Sequence, residues 1–331
     1  MTLLPPRARR ALAIVSAVAV SAGLAVSTSG CDDSLAAPGI GTSAQTTDAL
    51  FLLPANASVY GMTNLAAARQ SNALDAALGG TGLGMVSGRG SADFDEFVRM
   101  TGFDPSTDLD RVYLAGMPGD AKRLALVAYG RFDRDRIEQF LATQDEAEVE
   151  VSEANGIPLY LATDDDGTRG GFALANSQMV LAGDEATLRE MVGRLGTTGR
   201  APDAELQGLF DRVTFPDGAW FVARGLDQAG LEIPEDAPPS ALAARAADGF
   251  VVSMAFEDTG VPVRAFVSTK PETSTADVAD VIRGGISAAR VGLKDQPSAL
   301  DVLDDVVVEA EADGVRVEGF MTTEFLASTR P

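Results

Sequence analysis

Any chemistry this chain performs has to come from carboxylates or hydroxyls. Its 331 residues include no histidine and a single cysteine, Cys31. That removes Ser-His-Asp and Cys-His nucleophile arrangements, His-containing zinc sites and the histidine pH switch. Lysine occurs only at Lys122, Lys270 and Lys294, none of them in a Ser-x-x-Lys spacing, so Ser–Lys hydrolysis has no support. Closely spaced carboxylates such as Asp108 and Asp110, or Asp304 and Asp305, have the residue type for divided acid and base roles. With 48 Asp+Glu against 26 Lys+Arg, however, such pairs arise from composition alone. No residue is assigned a catalytic role.

Two further stretches invite a ligand and fail on spacing. Asp164-Asp165-Asp166-Gly167 suggests a calcium loop, but placing Gly167 at the sixth loop position puts Ala162 first and Ala173 twelfth, where an EF-hand needs Asp and Glu. A solvated turn between strands accounts for it. The glycines at 79, 80, 82, 84, 88 and 90 suggest a phosphate cradle, which needs a strand before it and a helix directly after. Here a helix pattern comes first and the P-loop lysine is missing. No cofactor and no metal ligand are therefore expected, and the glycine run reads as a loop. Tyr60, Tyr113, Tyr129, Tyr160 and Trp220 fall in strand patterns, where core packing is their default role.

The lone cysteine carries the clearest information. It follows Arg7, Arg9 and Arg10 and an apolar run from Ala11 to Val26, short of the roughly 20 residues a bilayer-spanning helix needs. A basic start, an apolar core and small residues at 27–30 make a cleavable signal peptide over residues 1–30. Thr28-Ser29-Gly30-Cys31 resembles the bacterial lipobox, with Thr28 departing from the usual aliphatic residue. The resemblance implies lipid attachment at Cys31, so that the chain is exported and held on a bacterial membrane, facing periplasm or cell surface. A lone thiol left free in an oxidising compartment would have no disulfide partner. Residues 31–49 read as a lipidated flexible tether rich in Ser, Thr, Ala and Gly.

The elements beyond the tether form two units, 50–198 and 199–331. A strand at 58–62 leads to a helix from about Leu65 to Leu78 with Asn64 as N-cap. A short helix starts at Asp93, with Glu96 in the capping-box position. Strands at 111–117 and 124–132 precede a helix at 133–144, and Asn155-Gly156 turns a hairpin. Strands at 171–175 and 179–182 then lead to a helix capped by Asp184. After a linker at 196–204 the order recurs: a strand at 219–225, a strand pair at 249–257 and 261–268, and a helix at 275–290. A hairpin at 306–320 and a closing helical turn at Phe325 and Leu326 end it. The fold class is α+β: two similar units, each an antiparallel sheet with helices packed mainly on one face.

Several phrases resemble uncharacterised bacterial envelope lipoproteins with a duplicated α+β domain. They are Leu53-Pro54-Ala55-Asn56-Ala57-Ser58-Val59-Tyr60, Gly102-Phe103-Asp104-Pro105 with Asp108-Leu109, Gly130-Arg131-Phe132-Asp133 and Leu181-Ala182-Gly183-Asp184. The likeness spans roughly residues 53–195 and implies no activity and no residue roles. The formal charge of −22 repels nucleic acid and anionic lipid heads and matches the composition of salt-adapted bacteria. The leading expectation is a non-catalytic envelope lipoprotein that binds a protein or glycan or supports an assembly, with membrane lipid as its anchor and no nucleic-acid partner. The alternatives are a carboxylate-dependent extracytoplasmic hydrolase and a carrier of lipid or another hydrophobic ligand. The carrier would show as an apolar cavity between sheet and helices.

Overall fold

A computed structural model describes residues 44–72, 92–117, 120–143, 149–163, 167–197, 199, 204–225 and 247–328. The signal peptide, Cys31 and most of the tether, the glycine run at 79–90, and Asp164 to Asp166 lie outside the described residues.

Twelve strands form one antiparallel sheet: β1 (Val59–Asn64), β2 (Leu109–Met117), β3 (Asp120–Gly130), β4 (Glu150–Ala154), β5 (Ile157–Thr163), β6 (Arg169–Asn176), β7 (Met179–Asp184), β8 (Ala219–Arg224), β9 (Ala247–Met254), β10 (Gly260–Thr269), β11 (Val307–Ala310) and β12 (Gly314–Thr322). Their spatial order is β11-β12-β10-β9-β8-β1-β2-β3-β7-β6-β5-β4. The α+β class holds, but the two expected sheets are joined edge to edge where β1 pairs with β8. Outward from that seam, the halves read β1-β2-β3-β7-β6 and β8-β9-β10-β12-β11. The hairpin β11–β12 thus stands where β6–β7 stands, and not opposite the Asn155-Gly156 hairpin β4–β5, with which the order of elements along the sequence would align it. Hairpin β4–β5 is an extension of the first half alone. It turns on Asn155 (φ 48°) and Gly156 (φ 76°), the left-handed pair a two-residue hairpin requires.

Ten helices are described: α1 (Ala44–Leu52), α2 (Leu65–Gln70), α3 (Ala92–Thr101), α4 (Pro105–Asp108), α5 (Arg134–Leu141), α6 (Glu185–Arg194), α7 (Ala204–Phe210), α8 (Thr275–Gly292), α9 (Pro297–Asp304) and α10 (Thr323–Ser328). The end of the expected tether is part of the fold. α1 buries Ala49, Leu50 and Leu52, and Leu53 just after it is buried too; Thr46 Oγ1 meets the Tyr113 hydroxyl at 3.0 Å, and Arg194 Nη1 donates to the carbonyls of Phe51, Leu52 and Leu53. A guanidinium on those terminal carbonyls suits both their free lone pairs and the helix dipole.

Three helices, α1, α6 and α7, pack on one face of the sheet around Tyr60, Tyr113, Tyr129 and Trp220. The others pack on the opposite face, in two groups. One, around α2 and α5, covers Leu126, Ala128 and Val180. The second, α8 to α10, covers Val261, Val263, Met321, Val308 and Val315. The first core runs through both halves, from Leu159 to Phe266.

Asn64 closes the seam. Its Oδ1 accepts from Ala67 N (3.0 Å) as the N-cap of α2, its Nδ2 donates to the Asp217 carbonyl (2.8 Å), and its backbone N–H donates to the Gly218 carbonyl (2.9 Å). The residue is 6 % exposed. Asn64→Ala removes a cap worth about 1 kcal/mol and strands a part-buried carbonyl at a further cost of about 1–3 kcal/mol. We expect urea unfolding to shift to a lower midpoint by that total in a single transition with unchanged slope. Two separated transitions would show that the halves unfold independently of the seam.

Candidate functional site

The concave feature with a distinct chemistry lies between β3, β6 and β7 and the helices α3 and α5. It is a cavity of about 90 Å³ whose lining is apolar. The sheet contributes Leu126 and Ala128 from β3, Phe172 and Leu174 from β6, and Val180 from β7. These are alternate residues, so the strand period aims them at one face. α5 contributes Ile137, Phe140 and Leu141, whose spacing places them on one side of the helix. Phe97 of α3, Phe103, Pro105 of α4, Leu109 at the start of β2 and Phe132 complete the lining.

Local capping sets where those side chains come in. α3 stops at Gly102 (φ 70°), whose N–H returns to the Val98 carbonyl at 2.8 Å. The buried Thr101 hydroxyl donates to the Phe97 carbonyl (2.7 Å) and accepts from Phe103 N (3.1 Å). The turn thereby sets Phe97 and Phe103 on the same wall. α5 begins at Asp133, which accepts from Arg136 N. Phe97 meets Phe140 edge-on at 5.3 Å, and Phe103 stacks on Phe132 at 5.3 Å. Such ring pairs add roughly 0.5–1.5 kcal/mol each beyond the area they bury.

One polar group borders this wall. Tyr160 stacks on Phe172 (5.1 Å), and its hydroxyl donates to Glu138 Oε1 at 2.6 Å, which Arg134 Nε also reaches at 2.7 Å. Burial, then the bond to Glu138, pushes the Tyr160 phenol up to about 12, while the same Tyr160 bond, followed by Arg134, holds Glu138 below the usual carboxylate range. Neither group is poised to exchange a proton near neutrality. The trio anchors a ring.

The carboxylates singled out by sequence are occupied elsewhere. Asp108 accepts from Asp104 N (2.8 Å) and pairs with Arg131 (3.2 Å); Asp110 pairs with Arg69 (2.8 Å) and Arg131 (3.7 Å); Asp304 pairs with Arg290 (3.0 Å). Asp305 caps the end of α9. Asp108, Asp110 and Asp304 thus each hold an arginine, and none of the four lines the cavity. Among the described residues no group of three or more Asp, Glu or Cys is placed to hold a metal ion. No described helix is long and apolar enough to cross a membrane. Phe97, Ile137, Phe140 and Leu141 were legible as helix faces. That they converge with Phe172 was not, because β6 reaches α5 only through long-range pairing.

A second, open depression holds Arg123, Arg169, Arg189, Asp184 and Glu185. Its charges are paired with one another: Arg123 with Asp184 (3.0 Å), Arg169 with Glu185 (3.1 Å) and Glu150, and Arg189 with Glu185 (2.7 Å). Asp184 caps α6 through Thr187 N (3.0 Å) and Thr187 Oγ1 (2.8 Å). Burial pushes its carboxyl up, but the two Thr187 bonds and Arg123 more than reverse this and hold it below the ordinary aspartate value. A folded-state pKa below the unfolded one stabilises fully above the unfolded value and is lost as pH falls through the folded one. Asp184→Asn keeps a competent N-cap acceptor but gives up the charge and the second oxygen that Arg123 and Thr187 Oγ1 bond, so it should cost about 1 kcal/mol at pH 7, with the gap to the parent closing below about pH 4. Denaturation midpoints measured from pH 7 to pH 2 check this.

No family model and no curated protein matches the chain. Solved structures do: crystal form III of TP0453 aligns with TM-score 0.52 at 13 % identity, over 86 % of this chain and 98 % of that one. Forms IV and I of the same protein align with TM-scores 0.47 and 0.46, at 13 % and 12 % identity, over 86 % and 85 % of this chain and 96 % of each of theirs. At that identity the likeness is one of fold.

Proposed function

We propose that this is a non-catalytic, lipid-anchored envelope protein that binds an apolar ligand between its sheet and the helices α3 and α5. The cavity carries the reading. An unfilled space of about 90 Å³ costs roughly 2 kcal/mol relative to a filled core, and a single larger residue at Ala128 would fill most of it. The space is too small for a whole drug-sized ligand, which needs about 300 Å³ or more. It suits one hydrocarbon segment, since nothing in its lining offers a hydrogen bond. Binding by the carrier alternative is thus favoured over hydrolysis, whose carboxylates are tied to arginines. The anchor rests on the signal peptide and Cys31.

Ala128→Val should raise the thermal midpoint while weakening the binding of phenylnaphthylamine, a probe that fluoresces in apolar sites, by about tenfold. The titration uses the whole mature chain made as Cys31→Ser, so that its own acyl groups do not compete. Failure of the parent to give saturable fluorescence, or equal binding by both proteins, would remove the cavity as the site. Mass spectrometry of the cellular protein should find an acylated Cys31 as its amino terminus; an intact leader would remove the anchor.

A further inference from the structure

The apolar sheet face that floors the cavity continues past Leu126, the residue at which the lining gives way to open sheet. Following the strand register from Leu126, the directly paired residues are Leu114, Gly61, Phe221, Val252 and Ala265, one each on β2, β1, β8, β9 and β10. Paired residues share a face, so this is one straight apolar row across the seam. Leu114, Phe221, Val252 and Ala265 are only half-buried, unlike Leu126 at 5 % exposure. The middle position is glycine, and a Cβ there would come within 3.2 Å of the Leu114 side chain. The neighbouring row on the opposite face is quite different: from Met62 it runs through Trp220 and Ser253 to Arg264 and Glu318.

We infer that this row extends the cavity into a track for one long acyl chain, so that the ligand is a single-chain amphiphile rather than a compact apolar molecule. The inference rests on the cavity being a ligand site. Five inter-strand steps span about 24 Å, and an acyl chain filling one leaflet of a bilayer is about 15 Å long. The cavity takes the chain end, and the row takes the rest. The row has no polar side chain, and the next same-face row, from Leu124 through Val59 and Phe250 to Val267, has none either, so the surface selects length of hydrocarbon and leaves the headgroup in water. A zwitterionic headgroup suits a chain of net charge −22, which repels anions.

The test is a homologous series of lysophosphatidylcholines with about 8, 12 and 16 carbons, each below its micelle concentration, displacing phenylnaphthylamine from the Cys31→Ser chain. Affinity should rise about fourfold per methylene beyond eight carbons. Phe221→Gln, a polar group midway along the row, should weaken the longest ligand at least tenfold and leave the shortest unchanged, and Phe221→Leu should restore binding. Should Phe221→Gln fail to fold by circular dichroism, Val252→Thr, nearly the same shape, should show the same length-selective loss. Equal affinities across the series, or equal losses at every length, overturn the track while leaving the cavity. Loss of probe binding altogether in the parent overturns both.

Discussion

The pairing of β1 with β8 is the constraint on which the rest of the molecule depends. Those two strands come from opposite halves of the chain, and without their ladder each half would expose a strand edge on its innermost side. The ladder is extended at both ends, by Asn64 N to the Gly218 carbonyl and by Arg224 N to the Ser58 carbonyl, each 2.9 Å. It also lays Tyr60 and Met62 beside Trp220 and Val222, so the tyrosine-face core forms only once the seam has formed. At the outer edges of the sheet the exposure is dealt with by arginines on helices. Arg189 of α6 donates to the Glu153 carbonyl of β4, and Arg283 of α8 donates to the Val308 carbonyl of β11. A charged group on a terminal strand discourages pairing with another chain.

The seam also gives the two faces different chemistry. On the tyrosine face, helices cover mainly the first half and the centre. Beyond β9 that face carries Arg264, Arg316 and Arg212 interleaved with Glu318, Glu311 and Asp313 at 2.6–3.1 Å. Arg212 also lies over the Phe266 ring at 4.1 Å, where a planar cation covers apolar surface that no helix reaches. On the other face the half-buried middle of the sheet is apolar from Leu124 to Val267. A protein this acidic thus keeps one broad region free of charge, and Leu126 belongs both to that region and to the cavity lining.

What could be read beforehand was local. Asn64 and Asp184 cap the helices that follow them, as expected, and Asn155-Gly156 turns its hairpin; Asp133 and Ser274, not singled out, cap theirs in the same way. A cap or a tight turn is decided within four residues, so sequence suffices. α1 was missed because Ala44–Leu52 has threonines where an amphipathic stripe would be apolar, and it is held by Tyr113 and Arg194 from far along the chain. α9 was missed although its signal was present: Pro297 at the first position and Ala299, Val302 and Leu303 at helical spacing. The seam and the cavity were beyond reach for another reason. Each is made by residues more than a hundred positions apart or on several separate elements, and no periodicity encodes which strands will be neighbours.

The cavity itself follows from the asymmetry between the halves. In the second half, α9 and α10 bring Ala299, Val302, Phe325 and Leu326 down onto Val261, Val263 and Met321, all of them buried. In the first half the corresponding face is widened by hairpin β4–β5, which sets Tyr160 one strand beyond Phe172 of β6. The short helices α3 and α5 must then cover a broader floor, and they do so with long aromatic arms whose edges meet while their interiors do not fill the gap. Ala128 at the centre of that floor leaves the space open. Two halves of the same strand order therefore reach different ends: one spends its apolar face on its own packing, and the other keeps a part of it for something else to bury.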